Sequence, residues 1–289
     1  MQEKEMNRMW QKKLCLATFR RHEIEQEQQI EVFKAAGFDG FFVEWAADGV
    51  VERCRKKADE TGMLFQSVHA PFGHARDLWE GGEAAEQGVA ELTACLNDCA
   101  ANGVELAILH AYIGFDKKPV VTQTGLENYG KIVAHAQKLG VKIAFEYTEG
   151  EECLAALLRE FADCRHVGFC WDSGHEMCYN RSEDLLARYG SHLFGTHLND
   201  NLGVSRFDGE PFWTDDLHLL PFDGVADWQG VAARLNTCGF DGPLTFELNL
   251  NSKPNRFDNA LYGRMAFEEY VALAYQRACR VAALMLRRK

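Results

Sequence analysis

Six short apolar segments of this chain end in a histidine or an acidic residue, and this recurrence constrains the fold more than any other feature. The segments are FQSVHAPF, LAILHAY, KIAFEYTEG, VGFCWDSGH, LFGTHLNDN and PLTFELN, and the residues in question are His69, His110, Glu146, Asp172, His197 and Glu247. A (β/α)8 barrel gathers the C-terminal ends of its strands around one mouth, where barrel enzymes build their sites. The pattern predicts such a barrel, with imidazoles and carboxylates at its top face.

Strands and helices alternate along the chain. The predicted strands are 13–19, 38–45, 63–69, 104–112, 141–147, 167–172, 193–198 and 244–248, and the predicted helices are 24–36, 49–61, 83–102, 123–139, 151–162, 182–189 and 227–238. Most of these strands are continuously apolar, as expected where one face lines a filled barrel and helices cover the other. No glycine-rich nucleotide loop follows the first strand, which argues against an open doubly wound sheet. The prediction is an α/β fold, a (β/α)8 TIM barrel that spans residues 1–289 as a single domain.

Three further features refine this prediction. Glycine follows six of the predicted helices, where it would supply the left-handed residue that ends a helix: Gly37, Gly62, Gly103, Gly140, Gly190 and Gly239. The segment at about 263–287 has helical periodicity and no strand after it, so we expect a final helix that closes the barrel or carries a homo-oligomer contact. The connection 199–226 is long for a compact domain, and irregular segments of that length are usually functional loops.

The composition of the chain predicts its location in the cell and the kind of molecule that it binds. The 289 residues contain no apolar run near the length of a membrane span, and the N-terminus lacks the apolar core of a signal peptide, so we expect a cytoplasmic protein. The ten cysteines are scattered without a C-x-x-C pair, which fits thiols in a reducing cytosol better than disulfides. A formal net charge of −12 repels polyanions, so we expect a small-molecule partner and no nucleic acid or membrane.

The acids and imidazoles at the later strand ends point to a metal site. Glu146, Asp172, His197 and Glu247 follow predicted strands five to eight, and their three carboxylates need a cation to offset them. A carboxylate that follows apolar strand residues is costly to bury unless a metal or a buried cation pairs with it. Arg20 is the single basic residue at the C-terminal end of a predicted strand, so ion pairs with lysine or arginine are a weak alternative.

Further residues at the same end of the predicted barrel are candidates for substrate binding or for a second metal. They are His69, His110, His175, Asp216, His218 and Glu44. Asp216 and His218 are two residues apart, so an extended segment would place both side chains on one side. Glu44 would contact substrate, or it would bond to Arg20 or to a backbone amide. Aromatic residues near these ends would floor a sugar site or serve in ordinary packing: Trp45, Phe72, Trp171, Phe212 and Trp213.

The sequence resembles the xylose isomerase-like barrel superfamily over essentially its whole length. The most specific segments are HLNDN, the D-x-x-H pair of Asp172 and His175, and PFDGVADWQGVAARLNTCGFDGPLTFELN. That superfamily holds sugar and sugar-phosphate isomerases and epimerases together with the endonuclease IV type of DNA-repair enzyme. In the isomerase and epimerase branch, the resemblance implies a divalent metal (Mn, Zn, Mg or Co) held by Glu146, Asp172, His197 and Glu247. It also implies that the two glutamates form the catalytic acid–base pair and that His175 contacts substrate.

The endonuclease branch is the alternative that the resemblance leaves open. Its trinuclear zinc site has nine ligands, and this chain has a candidate for each: His69, His110, Glu146, Asp172, His175, His197, Asp216, His218 and Glu247. The loops AADGV and PFGHARDLWEGGE are acidic and poor in the arginine and lysine that phosphate contacts need, which favours the isomerase branch.

The expected activity is metal-dependent isomerisation or epimerisation of a keto sugar or sugar phosphate, as part of carbohydrate metabolism. Glu146 and Glu247 would transfer a proton through an enediolate. Xylose isomerase moves a hydride with help from a lysine near its metals, and the sequence places no lysine for that role. Two alternatives besides phosphodiester hydrolysis use the same residues: dehydration of a cyclic keto sugar such as a keto-inositol, and a catalytically inactive sugar-binding barrel.

Overall fold

The computed structural model describes residues 12–20, 22–179, 183–203 and 213–286, and its parallel strands form the predicted barrel. The eight strands are hydrogen-bonded in the order β7-β6-β5-β4-β3-β2-β1-β8. They are β1 Leu14–Ala17, β2 Gly40–Glu44, β3 Leu64–His69, β4 Leu106–His110, β5 Lys142–Glu146, β6 Val167–Asp172, β7 Leu193–His197 and β8 Leu244–Phe246. Leu198, just after β7, bridges to Phe246 of β8 and donates its N–H to the Thr245 carbonyl at 2.8 Å, which joins the two ends of the sheet.

Helices cover the outside of the barrel. They are α1 Gln26–Ala36, α2 Val50–Thr61, α3 Asp77–Glu80, α4 Glu83–Ala101, α5 Gln123–Leu139, α6 Glu151–Glu160, α7 Ser173–Tyr179, α8 Leu185–Tyr189, α9 Trp228–Thr237 and α10 Phe267–Leu284. The last helix, α10, packs against α1 and α9, with the Tyr275 ring 5.3 Å from that of Phe38. It therefore covers the side of the barrel where β1 and β8 meet. No helix of the described residues is long and apolar enough to cross a membrane.

Two helices, α3 and α7, were not predicted from the sequence. Helix α7 begins directly after β6, without a loop, and Asp172 at the strand end accepts a hydrogen bond from the His175 N–H at 2.7 Å. A carboxylate that accepts from an amide three residues later satisfies one of the unpaired donors of a first helical turn. Because α7 is short and starts with serine and glycine, its sequence has too little periodicity to be recognised.

The interior of the barrel contains a cluster of small and aliphatic side chains, against which the Phe194 ring packs. Leu106, Ile108, Ala144 and Cys170 form a buried cluster, whereas Leu109 belongs to the larger cluster between strands and helices. This alternation follows from the period of two along a strand, which sends successive side chains to opposite faces. All ten cysteines are thiols rather than disulfides.

The predicted glycine stops are correct at five positions and wrong at one. The five with a left-handed backbone are Gly37, Gly62, Gly103, Gly140 and Gly239. Gly190 has a φ of −60° and begins a short 3₁₀ helix instead. A Cβ at Gly190 would lie 2.3 Å from the Cys238 Sγ, so close packing against the end of α9 requires the glycine there.

Gly40 tests how tightly the strands approach each other. A Cβ at Gly40 would lie 2.5 Å from the Leu64 carbonyl oxygen of β3 and 2.8 Å from the Cys15 Sγ of β1. We expect Gly40→Ala to lower the free energy of unfolding by about 1–3 kcal/mol, the usual cost of overpacking. Gly130→Ala is the matched control, since no atom lies within 4 Å of its added Cβ and alanine favours a helix interior. Urea denaturation measures both, and an unchanged stability of Gly40→Ala would contradict the close approach.

Candidate metal centre

The parallel register brings the four predicted metal ligands together at the C-terminal mouth of the barrel. Glu146 ends β5 beside Cys170 of β6, and Asp172 at the end of β6 pairs with His197 at the end of β7. Glu247 follows β8 directly. The ligand atoms of Glu146, Asp172, His197 and Glu247 all lie within 4.8 Å of one another, which suits one divalent cation.

The imidazole of His197 lies between the two glutamates. Its Nδ1 is 2.9 Å from one Glu146 carboxylate oxygen and 3.2 Å from a carboxylate oxygen of Glu247. The ring stacks on Phe42 inside the barrel, with centroids 4.7 Å apart and an interplanar angle of 12°. The buried Phe42 ring therefore sets the orientation of the imidazole that both carboxylates share.

Two further histidines contact the second oxygen of Glu146. The Nε2 atoms of His69 and His110 lie 3.2 Å and 3.5 Å from Glu146 Oε2, at the ends of β3 and β4. His69 donates its Nδ1–H to the Ala70 carbonyl at 3.0 Å, and the Nδ1 of His110 bonds to the Thr148 hydroxyl at 2.7 Å. These bonds hold both rings with Nε2 toward the carboxylate.

Asp216, in the segment before β8, joins two more histidines beside the same centre. The Nε2 atoms of His175 and His218 lie 3.4 Å and 3.0 Å from its two carboxylate oxygens. His175 donates its Nδ1–H to the Tyr147 carbonyl at 2.8 Å, and His218 donates to the Glu247 carbonyl at 3.1 Å. His218 has a φ of 49°, a strained value for a residue with a side chain, which these contacts stabilise.

The tautomers of three histidines test whether these residues fit a metal. His69, His175 and His218 each donate Nδ1–H to a backbone carbonyl, which leaves Nε2 as the atom that faces a carboxylate. A neutral Nε2 and a carboxylate oxygen both present lone pairs, so a proton or a cation must lie between them. Metal-binding histidines characteristically donate their other ring N–H to a carbonyl in this way. The donor set therefore fits a metal.

Electrostatics of the cluster agrees with this fit. Burial lowers the pKa of His175, but the carboxylates of Asp172 and Asp216 outweigh it and hold that pKa well above its usual value. Burial also opposes the charge on Glu146, yet the neighbouring imidazole of His197 holds the pKa of this carboxyl well below its usual range. Protons on the imidazoles offset the carboxylates here, which is the charge that a divalent cation would supply.

For Asp172 and His110, burial outweighs the neighbouring charges and sets the direction of the pKa shift. It raises the pKa of Asp172 to about 6 and lowers the pKa of His110 to about 3. His110 is therefore neutral at physiological pH, as a metal-binding imidazole must be.

The HLNDN segment supplies two supporting residues that were recognised in the sequence only as part of the resemblance. Asn199 donates from Nδ2 to the second carboxylate oxygen of Asp172 at 2.9 Å. Asp200 is fully buried and accepts bonds from the Phe222 and Ala226 N–H groups and the Trp228 indole. It thereby fixes the connection that follows His218. An acid after a strand end was visible in the sequence, but its partners lie more than 20 residues away.

Some predicted site residues lie outside this cluster. Glu44 lies 3.7 Å from Arg20 and is 40% exposed, so the ion pair, one of the roles considered for it, is present. Among the aromatic candidates, Trp45 and Trp171 are buried, whereas Phe72 and Trp213 are 45% and 38% exposed at the mouth. The remaining aromatic candidate, at position 212, lies outside the described residues.

Lys253 corrects the expectation that no lysine lies near the site. Its Nζ is 3.9 Å from the Asp216 carboxylate, and the loop after β8 brings it there. Lys253 lies six residues beyond Glu247, in a loop where no strand-end pattern or acid–imidazole pair marks it in the sequence. The absence of a lysine therefore no longer argues for proton transfer over hydride transfer.

Comparisons with known proteins agree with this architecture. A family model described as a xylose isomerase-like TIM barrel matches residues 30–264. The chain is also 28% identical over 267 residues to the uncharacterised protein y4fM of Sinorhizobium fredii (strain NBRC 101917 / NGR234), which is 80% of this chain and 83% of that protein.

Solved structures share the fold at low sequence identity. The IolI protein with a bound zinc atom has a TM-score of 0.72 and 17% identity, over 95% of this chain and 99% of that one. D-psicose 3-epimerase with D-tagatose, from Clostridium cellulolyticum H10, has a TM-score of 0.71 and 15% identity, over 95% of this chain and 99% of that one. A third structure is a xylose isomerase-like TIM barrel/4-hydroxyphenylpyruvate dioxygenase fusion protein, with a TM-score of 0.66 and 18% identity. The match covers 87% of this chain but only 41% of the fusion protein.

Metal binding should release protons and should tighten as pH rises. Burial lowers the pKa of His218, but Asp216 more than offsets it and raises the pKa to about 9, so this imidazole is protonated in the metal-free protein at neutral pH. A cation held by Asp172 and Glu247 would neutralise two of the carboxylates that stabilise this proton and would repel it, so zinc affinity should increase from about pH 6 to about pH 8. Calorimetric titration in two buffers of different ionisation enthalpy measures the protons released.

His218→Gln should release about one proton fewer per protein than the wild type, because glutamine does not titrate. His135→Gln is the matched control, since His135 is exposed and bonds to Asn97 instead. Zinc binding that is independent of pH would contradict the proposed role of these imidazoles.

Proposed function

The chain belongs to the xylose isomerase-like TIM barrel family, and we propose that it is a metal-dependent isomerase or epimerase of a keto sugar or sugar phosphate. The observation that carries the proposal is the convergence of two carboxylates, Glu146 and Glu247, on the single Nδ1 atom of His197. Two carboxylates at one point can remove a proton from a carbon and return it to that carbon or a neighbour.

Glu146, Asp172, His197 and Glu247 would hold the metal. A bound divalent cation supplies Lewis-acid polarisation of a carbonyl group, which makes the adjacent C–H more acidic. The sugar epimerases of the same fold and the zinc-bound IolI protein support this assignment by analogy of architecture.

The two glutamates differ in accessibility, and this assigns their tasks. Glu146 is fully buried, whereas the Glu247 side chain is 19% exposed. Burial opposes ionisation of Glu247, but the His197 imidazole outweighs it and lowers the pKa to about 2, so the carboxylate is ionised and can accept a proton. We assign Glu247 to the proton at the accessible face of the substrate and Glu146 to the deeper face.

His175 positions the substrate in this proposal. It lies on α7 with its Nδ1–H bonded to the Tyr147 carbonyl, so its Nε2 is directed toward Asp216 and the mouth. A substrate hydroxyl near Asp216 would accept or donate a hydrogen bond there. The exposed ring of Phe72, 5.0 Å from the His110 ring, offers an apolar surface for the C–H face of a sugar.

A second candidate function, phosphodiester hydrolysis, is favoured by a separate observation. His69 and His110 gather on Glu146, and His175 and His218 gather on Asp216. With the set of Glu146, Asp172, His197 and Glu247, the nine candidate ligands make three overlapping groups around the mouth. Several cations in that arrangement would suit an in-line displacement at phosphorus. The net charge of −12 opposes a nucleic-acid substrate, which is why sugar chemistry is our first proposal.

Substitution of the glutamates tests the mechanism. Glu146→Gln and Glu247→Gln should each lower turnover of a ketose panel at least about 10²-fold, because each removes a proton-transfer group at nearly constant volume. With zinc- or manganese-loaded wild type in D₂O, NMR should show loss of the proton signal on the carbon beside the carbonyl. Repeated turnover with no deuterium incorporated would show a hydride shift and would overturn the two-glutamate mechanism.

Metal stoichiometry separates the two candidate functions. A sugar isomerase with one catalytic metal should bind one equivalent by elemental analysis after dialysis, and His69→Ala should reduce activity less than Glu146→Gln. Three equivalents, together with cleavage of an abasic-site duplex in proportion to enzyme, would favour the phosphodiesterase instead. At physiological salt we expect no gel shift with that duplex, because the protein is strongly acidic.

A further inference from the structure

Lys253 lies at the edge of the barrel mouth, on a loop that hydrogen bonds hold in place. The loop after β8 is tied to the segment that carries Asp216: Asn249 donates its N–H to the His218 carbonyl at 2.8 Å, and Arg256 bonds to the buried Asp215 carboxylate at 3.1 Å. Lys253 lies between these two ties. Its position beside the mouth is therefore built into the fold rather than left to a free loop.

The ammonium group of Lys253 makes only a long contact with the nearest carboxylate. Its Nζ is 3.9 Å from the Asp216 carboxylate, which is longer than a hydrogen bond, and that carboxylate already faces two imidazoles. Among the described residues, it is the one lysine or arginine within 4.0 Å of a carboxylate of the nine-residue cluster. An ammonium group has three donors, so Lys253 retains donors that can point into the mouth.

An apolar surface accompanies this cation. The Lys253 Nζ lies 5.8 Å from the centroid of the Trp213 ring, and Trp213 is 38% exposed. A cation beside a partly exposed aromatic face suits a molecule with a C–H face and an anionic substituent. The contacts of Lys253 are with Asp216 and Trp213 rather than with Glu146 or Glu247, so it lies away from the proposed acid–base pair.

We propose that Lys253 binds an anionic substituent of the substrate, so that this barrel acts on an acidic sugar, one that carries a phosphate or a carboxylate. This inference rests on the proposed sugar isomerase or epimerase and specifies its substrate class. The ammonium donates hydrogen bonds to the oxyanion, Trp213 packs against the carbon skeleton, and the reacting carbon lies toward Glu146 and Glu247. Lys253 is thus a specificity residue, and it takes no proton in the reaction.

Calorimetric binding to the metal-loaded protein tests the proposal. The ligands are D-fructose as the neutral sugar, D-fructose 6-phosphate as the phosphate arm and a ketohexuronate as the carboxylate arm. We expect one of the anionic sugars to bind wild type at least about tenfold more tightly than D-fructose, which corresponds to about 1.4 kcal/mol. Whichever anionic sugar shows the preference identifies the source of the oxyanion.

Three variants examine the same preference. Lys253→Gln should lower the ratio of anionic to neutral affinity by about tenfold, and Lys253→Arg should restore most of it, since arginine also donates to an oxyanion. Lys142→Gln is the matched control, because it removes the same charge from the N-terminal end of β5, at the opposite end of the barrel from the site. Thermal melting of each variant checks that it is folded.

The outcomes separate this inference from the proposed function. Turnover of ketoses without any anion preference, or a preference that survives in Lys253→Gln, overturns the role of Lys253 and leaves the isomerase proposal standing. A preference lost in Lys253→Gln but with no turnover supports the anion site and contradicts the isomerase proposal. If neither class of sugar binds, both proposals fail.

Discussion

A carboxylate that water does not reach, on Glu146, sets the conditions that the rest of the barrel mouth satisfies. Imidazoles of His69, His110, His175 and His197 surround it, at 2.9–3.5 Å from its oxygens. A buried carboxylate without partners costs several kcal/mol, so these histidines must all be in place for the charge to be tolerated. They come from β3, β4, α7 and β7, and the arrangement therefore exists only when most of the barrel has assembled.

Backbone carbonyls and the buried Asp200 make this mouth rigid. The carbonyls orient the histidines by accepting their Nδ1–H groups, while Asp200 accepts bonds from Phe222, Ala226 and Trp228 and so holds the connection after β7. Groups that are already oriented lose little entropy when a cation or substrate arrives. The same rigidity explains why His218 keeps a left-handed backbone that is strained for a residue with a side chain.

The carboxylates and imidazoles at the barrel mouth suit more than one reaction, and the loop residues around them favour one reaction over the other. Overlapping groups of carboxylates and imidazoles can hold cations for carbonyl chemistry or for phosphodiester hydrolysis. The net negative charge of the protein repels a polyanion, whereas the exposed rings of Phe72 and Trp213 and the ammonium of Lys253 would suit the small acidic sugar that we propose as substrate. Because the proposed substrate contacts come from these loops, they are separable from the conditions that keep Glu146 buried.

The sequence by itself determined the barrel, its eight strands and the acids and imidazoles at the strand ends. Apolar segments that end in His110, Glu146 or Asp172 suffice for this, because parallel strands in a barrel must all end at one face. Only the tertiary structure decided the rest: which carboxylate each imidazole faces, the pairing of Glu44 with Arg20, and the approach of Lys253 to Asp216. These depend on loop conformation and on contacts between residues far apart in the chain, which no local periodicity records.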